Sequence, residues 1–449
     1  MFSFEKLGIP TVGIASRHFI ADYRSTAISM GLPELPIMVA SEAYSSVGPP
    51  EVRKDIDEHI DQIIAALTTP IKVGKEQLEV PITTPGGPSP LVQNTIEFTG
   101  KDWIEAFDKF QEAFLKWGWS DGLVLIPPTR ERVDAMLKGT SHSRDEVVVE
   151  RFEPAKGEAT VEKIAIAAAM AGCKPEYLPV VLAAVEALAD PTFDLIQTSM
   201  STGAHTPFLF VNGPIRQKID INSKAGPLGP GSKNRANATI GRAVRLIMIN
   251  IGGCYLGIKD MDVLGTSNKF GMLIGENEEA NPWEPYHVEI GYDRNKSVIS
   301  ALGMDSQNET ALAAVEPEVL LYYYASVMCD FGGGALACAH LFDADTIVLM
   351  NPEHARIVAD KGWSKKDVRE YLFQTCGVTE DDLTAGGRAE ITPVYTETWK
   401  SLARGPGAKL PCVRSSERIK IVVAGEGPLK GSNISGIGRL VTKEVDKWR

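Results

Sequence analysis

The sequence has no apolar run long enough to cross a membrane. Its longest apolar stretches, around Leu182–Leu188 and Leu246–Ile251, fall far short of the roughly 20 residues that a spanning helix needs. The first residues, Met1–Lys6, also lack the basic-then-apolar order of a secretory signal peptide. We therefore expect a soluble, cytoplasmic protein with no membrane partner.

Positive charge is scarce as well. The formal net charge is −12 and the isoelectric point is near 5.2, and lysine and arginine form no continuous stripe. Because binding to a phosphate backbone needs a basic field, this balance argues against a nucleic-acid partner.

The six cysteines are few and irregularly spaced between Cys173 and Cys412. Small secreted proteins that depend on disulfides have a denser and more regular pattern. We expect reduced thiols and no metal site.

What the sequence does contain is an ordinary globular composition, with 44% apolar and 23% charged residues in 449. This length suggests two or three domains. The predicted fold class is α/β. A small N-terminal parallel βαβ domain is expected over residues 1–82, linker and bridging helices over 83–150, and a larger mixed α/β domain over 151–449.

The N-terminal segment predicts strand, helix and strand in quick succession. Ile9–Ala15 and Pro36–Ala40 are short apolar strands, and the helix Phe19–Met30 between them is stopped by Gly31. Such a connection implies a right-handed parallel crossover. A polar helix, Pro50–Leu67, follows.

The next segment is predicted to join the two domains. Thr83–Pro90 is too rich in glycine and proline for regular structure, so it is the expected linker. After it we expect the helix Asp102–Lys116, the strand Leu123–Ile126 and the helix Val133–Leu137.

The main domain is predicted to alternate helices and strands. The expected helices are Val161–Ala171, Glu176–Ala189, Ala238–Ile251, Ala311–Met328, Glu353–Asp360 and Lys365–Gln374. The expected strands are Pro207–Asn212, Met272–Gly275, Ser297–Ala301, Thr346–Met350 and Ile419–Ala424.

Several segments carry a resemblance to a known family. The opening Gly8–Val12, with Phe19, Ala27, Gly31–Leu35 and the helix end Ile64–Thr68, resembles the UGSC-type proteins. This little-characterised family has selenocysteine and cysteine variants, and its motif is similar to that of the glycine and proline reductase selenoproteins. The segments similar to the family's C-terminal partner domain are Met170–Tyr177, Val211–Pro214 and Arg235–Arg242.

The resemblance implies reductive or sulfur-transfer chemistry. In the family the signature selenocysteine or cysteine precedes the segment with which this chain opens, and Ser45-Ser46 follows the second strand and does not replace it. The expectation is therefore that a small thiol- or selenol-bearing partner chain supplies that group, or that this chain uses a different thiol. No cofactor is indicated.

A glycine-rich loop that leads into a helix is the strongest physical signal for a binding site. The loop contains Gly229 and Gly231 and is predicted to enter a helix at Thr239, whose free N–H groups and dipole favour an anion. It matches neither a Walker loop nor a dinucleotide-binding motif. The alternative is a structural loop with solvated charges.

The residues predicted to bind a small carboxylate or phosphate surround this loop. Arg235 and Arg242 are candidates for bidentate contacts with the anion, and Lys233 adds a further charge. The predicted substrate-binding residues are Gly229, Gly231, Arg235, Asn237, Thr239, Arg242 and Asn212.

Cys173 is the leading candidate for thiol chemistry. It lies between a helix that stops at Gly172 and one that starts at Pro175, with Lys174 beside it, so a lowered pKa is expected. Glu176 is a candidate proton carrier and Tyr177 a candidate proton donor. The alternative is a buried cysteine in a helix hairpin.

His287 is the remaining predicted catalytic residue. It ends a loop-like stretch with the acidic run Glu276–Glu279 and the aromatic residues Trp283 and Tyr286, although surface carboxylates are common.

Cys329 and Cys338 flank a triple glycine, and His340 lies just beyond them. Close approach around the glycines would allow a redox pair or a metal site with His340. Their spacing matches no zinc motif, so packing is the favoured interpretation.

The sequence thus predicts a homo- or hetero-oligomeric enzyme that acts on a small anionic substrate by cysteine-dependent chemistry. Two alternatives remain. One is a lyase or hydratase that needs no thiol. The other is a non-catalytic subunit that completes the site of a separate thiol-bearing chain.

Overall fold

The structure is a computed structural model that describes most of the chain. The described residues are 1–44, 47–71, 83–84, 87–88, 95–329, 339–340, 342–379, 381–382, 397, 400–404 and 407–449. Ser45-Ser46, Cys338 and the linker positions 85, 86, 89 and 90 lie outside them. Within this part of the chain, no helix is both long enough and apolar enough to span a bilayer.

The N-terminal unit has the predicted parallel βαβ arrangement. Strand β1 (Gly13–Ser16) and strand β2 (Ile37–Ala40) pair in parallel, with Gly13 opposite Ile37. Helix α2 (Ile20–Ser29) connects them, and Gly31 follows it with a φ of +77°. A short helix α1 (Phe2–Lys6) precedes the unit.

The polar helix α3 (Pro49–Thr68) follows this unit, as the sequence predicts. Beyond it, a minimal antiparallel pair of strands, β3 (Thr83–Thr84) and β4 (Gly87–Pro88), lies inside the predicted linker. The expectation that this stretch holds no regular structure is therefore wrong at these four positions.

The rest of the chain alternates helices and strands. Its helices are α4 (Trp103–Lys116), α5 (Arg130–Leu137), α6 (Val161–Ala171), α7 (Leu178–Ala189), α8 (Leu195–Met200), α9 (Ile215–Lys218), α10 (Arg235–Asn250), α11 (Tyr286–Glu289), α12 (Pro317–Met328), α13 (Pro352–Asp360) and α14 (Lys365–Thr375). Its strands are β5 (Val147–Phe152), β6 (Gly157–Thr160), β7 (Thr206–Asn212), β8 (Met272–Gly275), β9 (Val298–Ala311), β10 (Thr346–Met350), β11 (Gly377–Val378), β12 (Leu410–Pro411), β13 (Ile419–Val423), β14 (Lys430–Gly436) and β15 (Val441–Glu444).

Seven of these strands form one mixed sheet in the order β13-β10-β14-β9-β7-β8, and β15 also pairs with β9. The pairs β10/β13 and β7/β8 are parallel, whereas β9 runs antiparallel to its three neighbours. Because β7 and β8 are parallel, their carboxyl ends meet at one edge of the sheet, which is where α/β proteins commonly bind ligands.

A helical layer covers one part of this sheet. Helices α6 and α7 are almost entirely buried, and the apolar side of α10 joins them in the largest core cluster. Gly241 of α10 packs closely against Gly271. A Cβ at position 241 would lie 3.0 Å from the Gly271 carbonyl carbon. Aromatic residues of α4 also pack into this cluster, so α4 belongs to the same core.

The sequence located both ends of helix α6. Thr160 caps α6 by accepting a hydrogen bond from the Lys163 N–H, and Gly172 ends the helix with a φ of +87°. Asp102 caps α4 in the same way through Glu105. The boundaries between the proposed domains stay a prediction.

Some predicted elements are wrong. Leu123–Ile126 is not a strand. The Gln111 side chain accepts a hydrogen bond from the Leu125 N–H and donates one to the Leu125 carbonyl, so these backbone groups are not available to a neighbouring strand. The helix predicted from Ala311 starts at Pro317, because β9 continues to Ala311.

The packing of α7 predicts a sharp contrast between two leucines. Leu182 is fully buried, so Leu182→Ala should lower the free energy of unfolding by about 2–5 kcal/mol. Leu264 is 95% exposed, and Leu264→Ala should change the free energy of unfolding by less than about 0.5 kcal/mol. Urea unfolding of the two variants measures both values, and equal losses would contradict the assigned core.

Candidate functional site

The glycine-rich loop enters its helix one turn earlier than the sequence predicts. A 3₁₀ turn, Ser232–Asn234, leads directly into α10 at Arg235, so Thr239 lies in the second turn and not at the start. The Thr239 hydroxyl donates to the Arg235 carbonyl at 2.7 Å. The free N–H groups at the start of the helix therefore belong to the residues around Arg235.

Asparagine side chains hold the loop in place. The Asn234 amide donates to the carbonyls of Gly226 and Gly229, and Gly231 has a φ of +142° that favours glycine. The Gly229 carbonyl is thus occupied within the loop. Contact of Gly229 or Gly231 with a substrate remains a prediction.

Asn237 is part of this support. Its buried side chain accepts from the Asn222 N–H at 2.8 Å and donates to the carbonyls of Asn222, Pro227 and Leu273. These bonds tie the loop to β8 and occupy the amide that the sequence assigned to an anion. We therefore interpret Asn237 as a positioning residue.

Arg242 also has a protein partner. It forms a bidentate ion pair with Asp121, at 2.7 and 2.9 Å, and donates to the carbonyls of Leu123 and Val124. The Asp121 side chain is only 3% exposed. The pair fastens the irregular segment that contains Leu123 to α10. Contact of Arg242 with a substrate remains a prediction.

Arg235 lines a cleft of about 600 Å³ at the carboxyl end of β7. The short turn before α7 contributes Lys174 and Tyr177, and the loop and α10 contribute Lys233 and Arg235. The segment after β7 contributes three charged side chains, which are Arg216, Asp220 and Lys224. Glu279 completes the charged lining. The cleft is thus rich in cations although the protein is strongly acidic.

Arg216 forms one wall of the cleft and is buried. Its Nε donates to Glu278 at 2.9 Å and its Nη2 donates to Glu279 at 2.9 Å. The sequence reasoning missed Arg216. Its position just after the carboxyl end of a buried strand was the signal that could have identified it.

Asn212 lies behind this wall. Its amide donates to Glu276 at 2.5 Å and to Glu278 at 3.1 Å, so it orders carboxylates and does not line the cleft. Burial raises the pKa of Glu276. Asn212 therefore has a supporting position, and its predicted contact with substrate remains untested.

His287 is fully buried in the same network. Its Nδ1 lies 4.0 Å from Glu278 and makes no hydrogen bond within the described chain, while Nε2 lies 3.3 Å from the Arg294 carbonyl. Glu278 thus stands between His287 and Arg216. The geometry does not place His287 at the surface of the cleft.

Cys173 lines a second, smaller cavity of about 250 Å³ that adjoins the cleft at Arg235. Its thiol donates to the Thr239 carbonyl at 3.2 Å. Burial raises the pKa of Cys173 to about 12, although Arg235 and Arg242 oppose this rise. The expectation of a lowered pKa is therefore wrong, because desolvation outweighs the nearby positive charges.

The neighbours of Cys173 occupy different places. The Tyr177 ring is buried against the cleft, and desolvation raises the pKa of its phenol, which therefore stays protonated at neutral pH. Glu176 is not part of the cleft lining, and its carboxylate lies 3.7 Å from the Lys174 Nζ. Of the two predicted proton carriers, only Tyr177 lines the cleft.

The pKa of Cys173 predicts its reactivity. Below pH 10 almost all of the side chain should be neutral thiol, so alkylation by iodoacetamide should be slow and should accelerate about tenfold per pH unit. Quantitative mass spectrometry of the Cys173 peptide measures this rate. A plateau below pH 9 would show a thiolate and contradict the environment described here.

The Arg242–Asp121 pair predicts a stability effect. Arg242→Ala leaves a buried carboxylate unpaired and should lower the free energy of unfolding by about 3 kcal/mol. Arg356→Ala, at an exposed site on α13, is the matched control and should change little. Urea unfolding measures both, and an equal small effect would show that the pair contributes nothing.

No curated protein and no solved structure gives a significant match to the chain. The further similarity to glycine and proline reductase selenoproteins stays a prediction. One family model does match: residues 2–69, which span the βαβ unit and α3, match the UGSC family.

Proposed function

We propose that the chain is an enzyme that binds a small carboxylate or phosphate substrate in the cleft around Arg235. The single observation that carries this proposal is the convergence of Lys224, Lys233 and Arg235 in one concave site. All three lie within residues 224–235, and the fold brings them into one cleft with Lys174 and Arg216, which come from other segments. A volume of about 600 Å³ suits a small molecule.

The charges of the cleft do not cancel. Arg216 is matched by Glu278 and Glu279, and Lys174 by Glu176. Within the part of the chain that the structure describes, Lys224, Lys233 and Arg235 form no ion pair, and Asp220 is the acidic group left to oppose them. A bound anion would satisfy this excess, and the N-terminus of α10 would add to the attraction.

The chemistry that the cleft supports best is proton transfer without a thiolate. Tyr177 is protonated and faces the bound anion, so it can serve as a general acid. The half-buried Cys173 thiol has a raised pKa, which favours the neutral form, and a neutral thiol is a poor nucleophile. These features favour a thiol-independent lyase or hydratase.

One observation favours the second candidate, cysteine-dependent redox or sulfur-transfer chemistry. Cys173 shares its cavity with Arg235 and Arg132, so a substrate held by Arg235 would lie beside the sulfur. The two candidates differ in one respect: alkylation of Cys173 abolishes turnover only in the second.

Anion binding is testable before the substrate is known. Inorganic phosphate and acetate should each bind the full-length protein, as measured by isothermal titration calorimetry. Arg235→Ala removes a charge-assisted contact of about 1.5–3 kcal/mol and should weaken binding by at least tenfold. Arg235→Lys should retain part of the affinity.

The control for this experiment is Arg356→Ala, which removes an exposed arginine away from the cleft and should bind like the wild type. Unchanged affinity in Arg235→Ala, or binding of neither anion by the wild type, would refute the proposed site.

A further inference from the structure

Three cysteines from distant parts of the chain meet in the core that lies beside β10 and β13. Cys329 follows α12, Cys376 follows α14 and Cys412 follows β12. Their sulfur atoms all lie within 4.8 Å of one another. We call these residues the thiol cluster.

The pairing within the thiol cluster corrects the expectation of free thiols. Cys329 and Cys412 are joined by a disulfide across 83 residues of sequence. The Cys376 sulfur lies 3.0 Å from that of Cys329 and also donates to the Ala325 carbonyl at 3.1 Å. A structural disulfide needs only two cysteines, so it does not account for the third thiol, Cys376, in contact with it.

The surroundings of the thiol cluster are dry. Cys376 and Cys412 are at most 5% exposed and belong to an apolar core that contains Met328 and Val413. A metal ion deprotonates the thiols that coordinate it, so thiolates can form in these surroundings.

His340 is a buried neighbour of the thiol cluster. It is 1% exposed, and its Nε2 lies 2.7 Å from the carbonyl of Pro411, the residue directly before Cys412. Its ring nitrogens do not lie within 4.8 Å of all three sulfur atoms. We therefore assign His340 to holding the backbone beside Cys412 and not to the ligand set.

We propose that the reduced thiol cluster is a zinc site, with Cys329, Cys376 and Cys412 as thiolate ligands and the fourth tetrahedral position open. Zinc sites with three protein ligands and one open position are a known type. Zn–S bonds of about 2.3 Å place tetrahedral ligands about 3.8 Å apart, a separation that lies within the 4.8 Å limit met by the three sulfur atoms.

Occupation of the site requires reduction of the disulfide. A dithiol reductant donates two electrons and two protons to Cys329 and Cys412 and becomes a cyclic disulfide. Zn²⁺ then displaces three protons, one from each thiol, into solvent. The bound ion would tie the ends of α12 and α14 to β12, three segments that local sequence does not hold together.

Cysteine spacing in the sequence does not reveal this site, because its ligands are not neighbours in sequence. Cys329 and Cys338 match no zinc motif, and Cys338 lies outside the described residues. The ligands that meet are separated by up to 83 residues, so only the fold brings them together.

The experiment uses the full-length protein, reduced with a phosphine, incubated with Zn²⁺ alone and desalted. Elemental analysis should find one zinc per chain in the wild type and in Cys173→Ser, the control outside the thiol cluster. Cys376→Ser and Cys412→Ser should each retain less than about a tenth of this amount.

X-ray absorption of the zinc-loaded wild type makes the test independent of whether the variants fold. The expected spectrum has three sulfur ligands at about 2.3 Å. Absence of zinc from the reduced wild type, full occupancy in Cys376→Ser, or a spectrum without sulfur ligands would each overturn the proposal.

Discussion

The buried amide of Asn237 is the interaction on which the cleft depends. It joins the glycine-rich loop at Pro227, the turn at Asn222 and the strand β8 at Leu273. Hydrogen bonds of Asn234 and Asn222 support the same loop, and Asn237 is the residue that joins it directly to β8. Lys233 and Arg235 lie just before Asn237 in sequence, so these bonds help to set their position in the cleft.

The same segment illustrates why residue type alone is a poor guide to role. The sequence predicts that Asn237 and Arg242 contact the anion, and in the structure each already has a set of protein partners, so this prediction stays untested. Amides and guanidinium groups that support a loop resemble those that bind a ligand, because both tasks need the same donors. Which partner they find depends on segments far away in sequence, such as the one that carries Asp121.

Local features of the fold were predictable, and long-range ones were not. The βαβ unit, the capped helix α6 and the strands β8 and β10 agree with the sequence because glycine, proline and capping residues mark their ends. Strand β14 was missed since its glycine and serine residues give no strand signal, and its place between β9 and β10 depends on non-local pairing.

The candidate site was predictable only in part. The loop and Arg235 were found from the glycine pattern, whereas Arg216 and the convergence of cations required the fold. Cys173 was placed correctly between two helices, but its charge state was not. Helix dipoles and a neighbouring lysine can be read from sequence, while the depth of burial that overcomes them cannot.

The cleft and the thiol cluster are separate centres. The cleft borders the core built from α6, α7 and α10, and the thiol cluster lies in the core built from α12 and α14. A change in one should therefore leave the other intact, and loss of zinc would not by itself explain loss of anion binding.

A crystal structure grown with inorganic phosphate tests the central claim most directly. The account predicts one ordered phosphate in the cleft, within hydrogen-bond distance of Arg235 and Lys233, with Asn237 still bound to the Leu273 carbonyl. An empty cleft beside a phosphate bound elsewhere, or Arg235 turned away from the cleft, would contradict it.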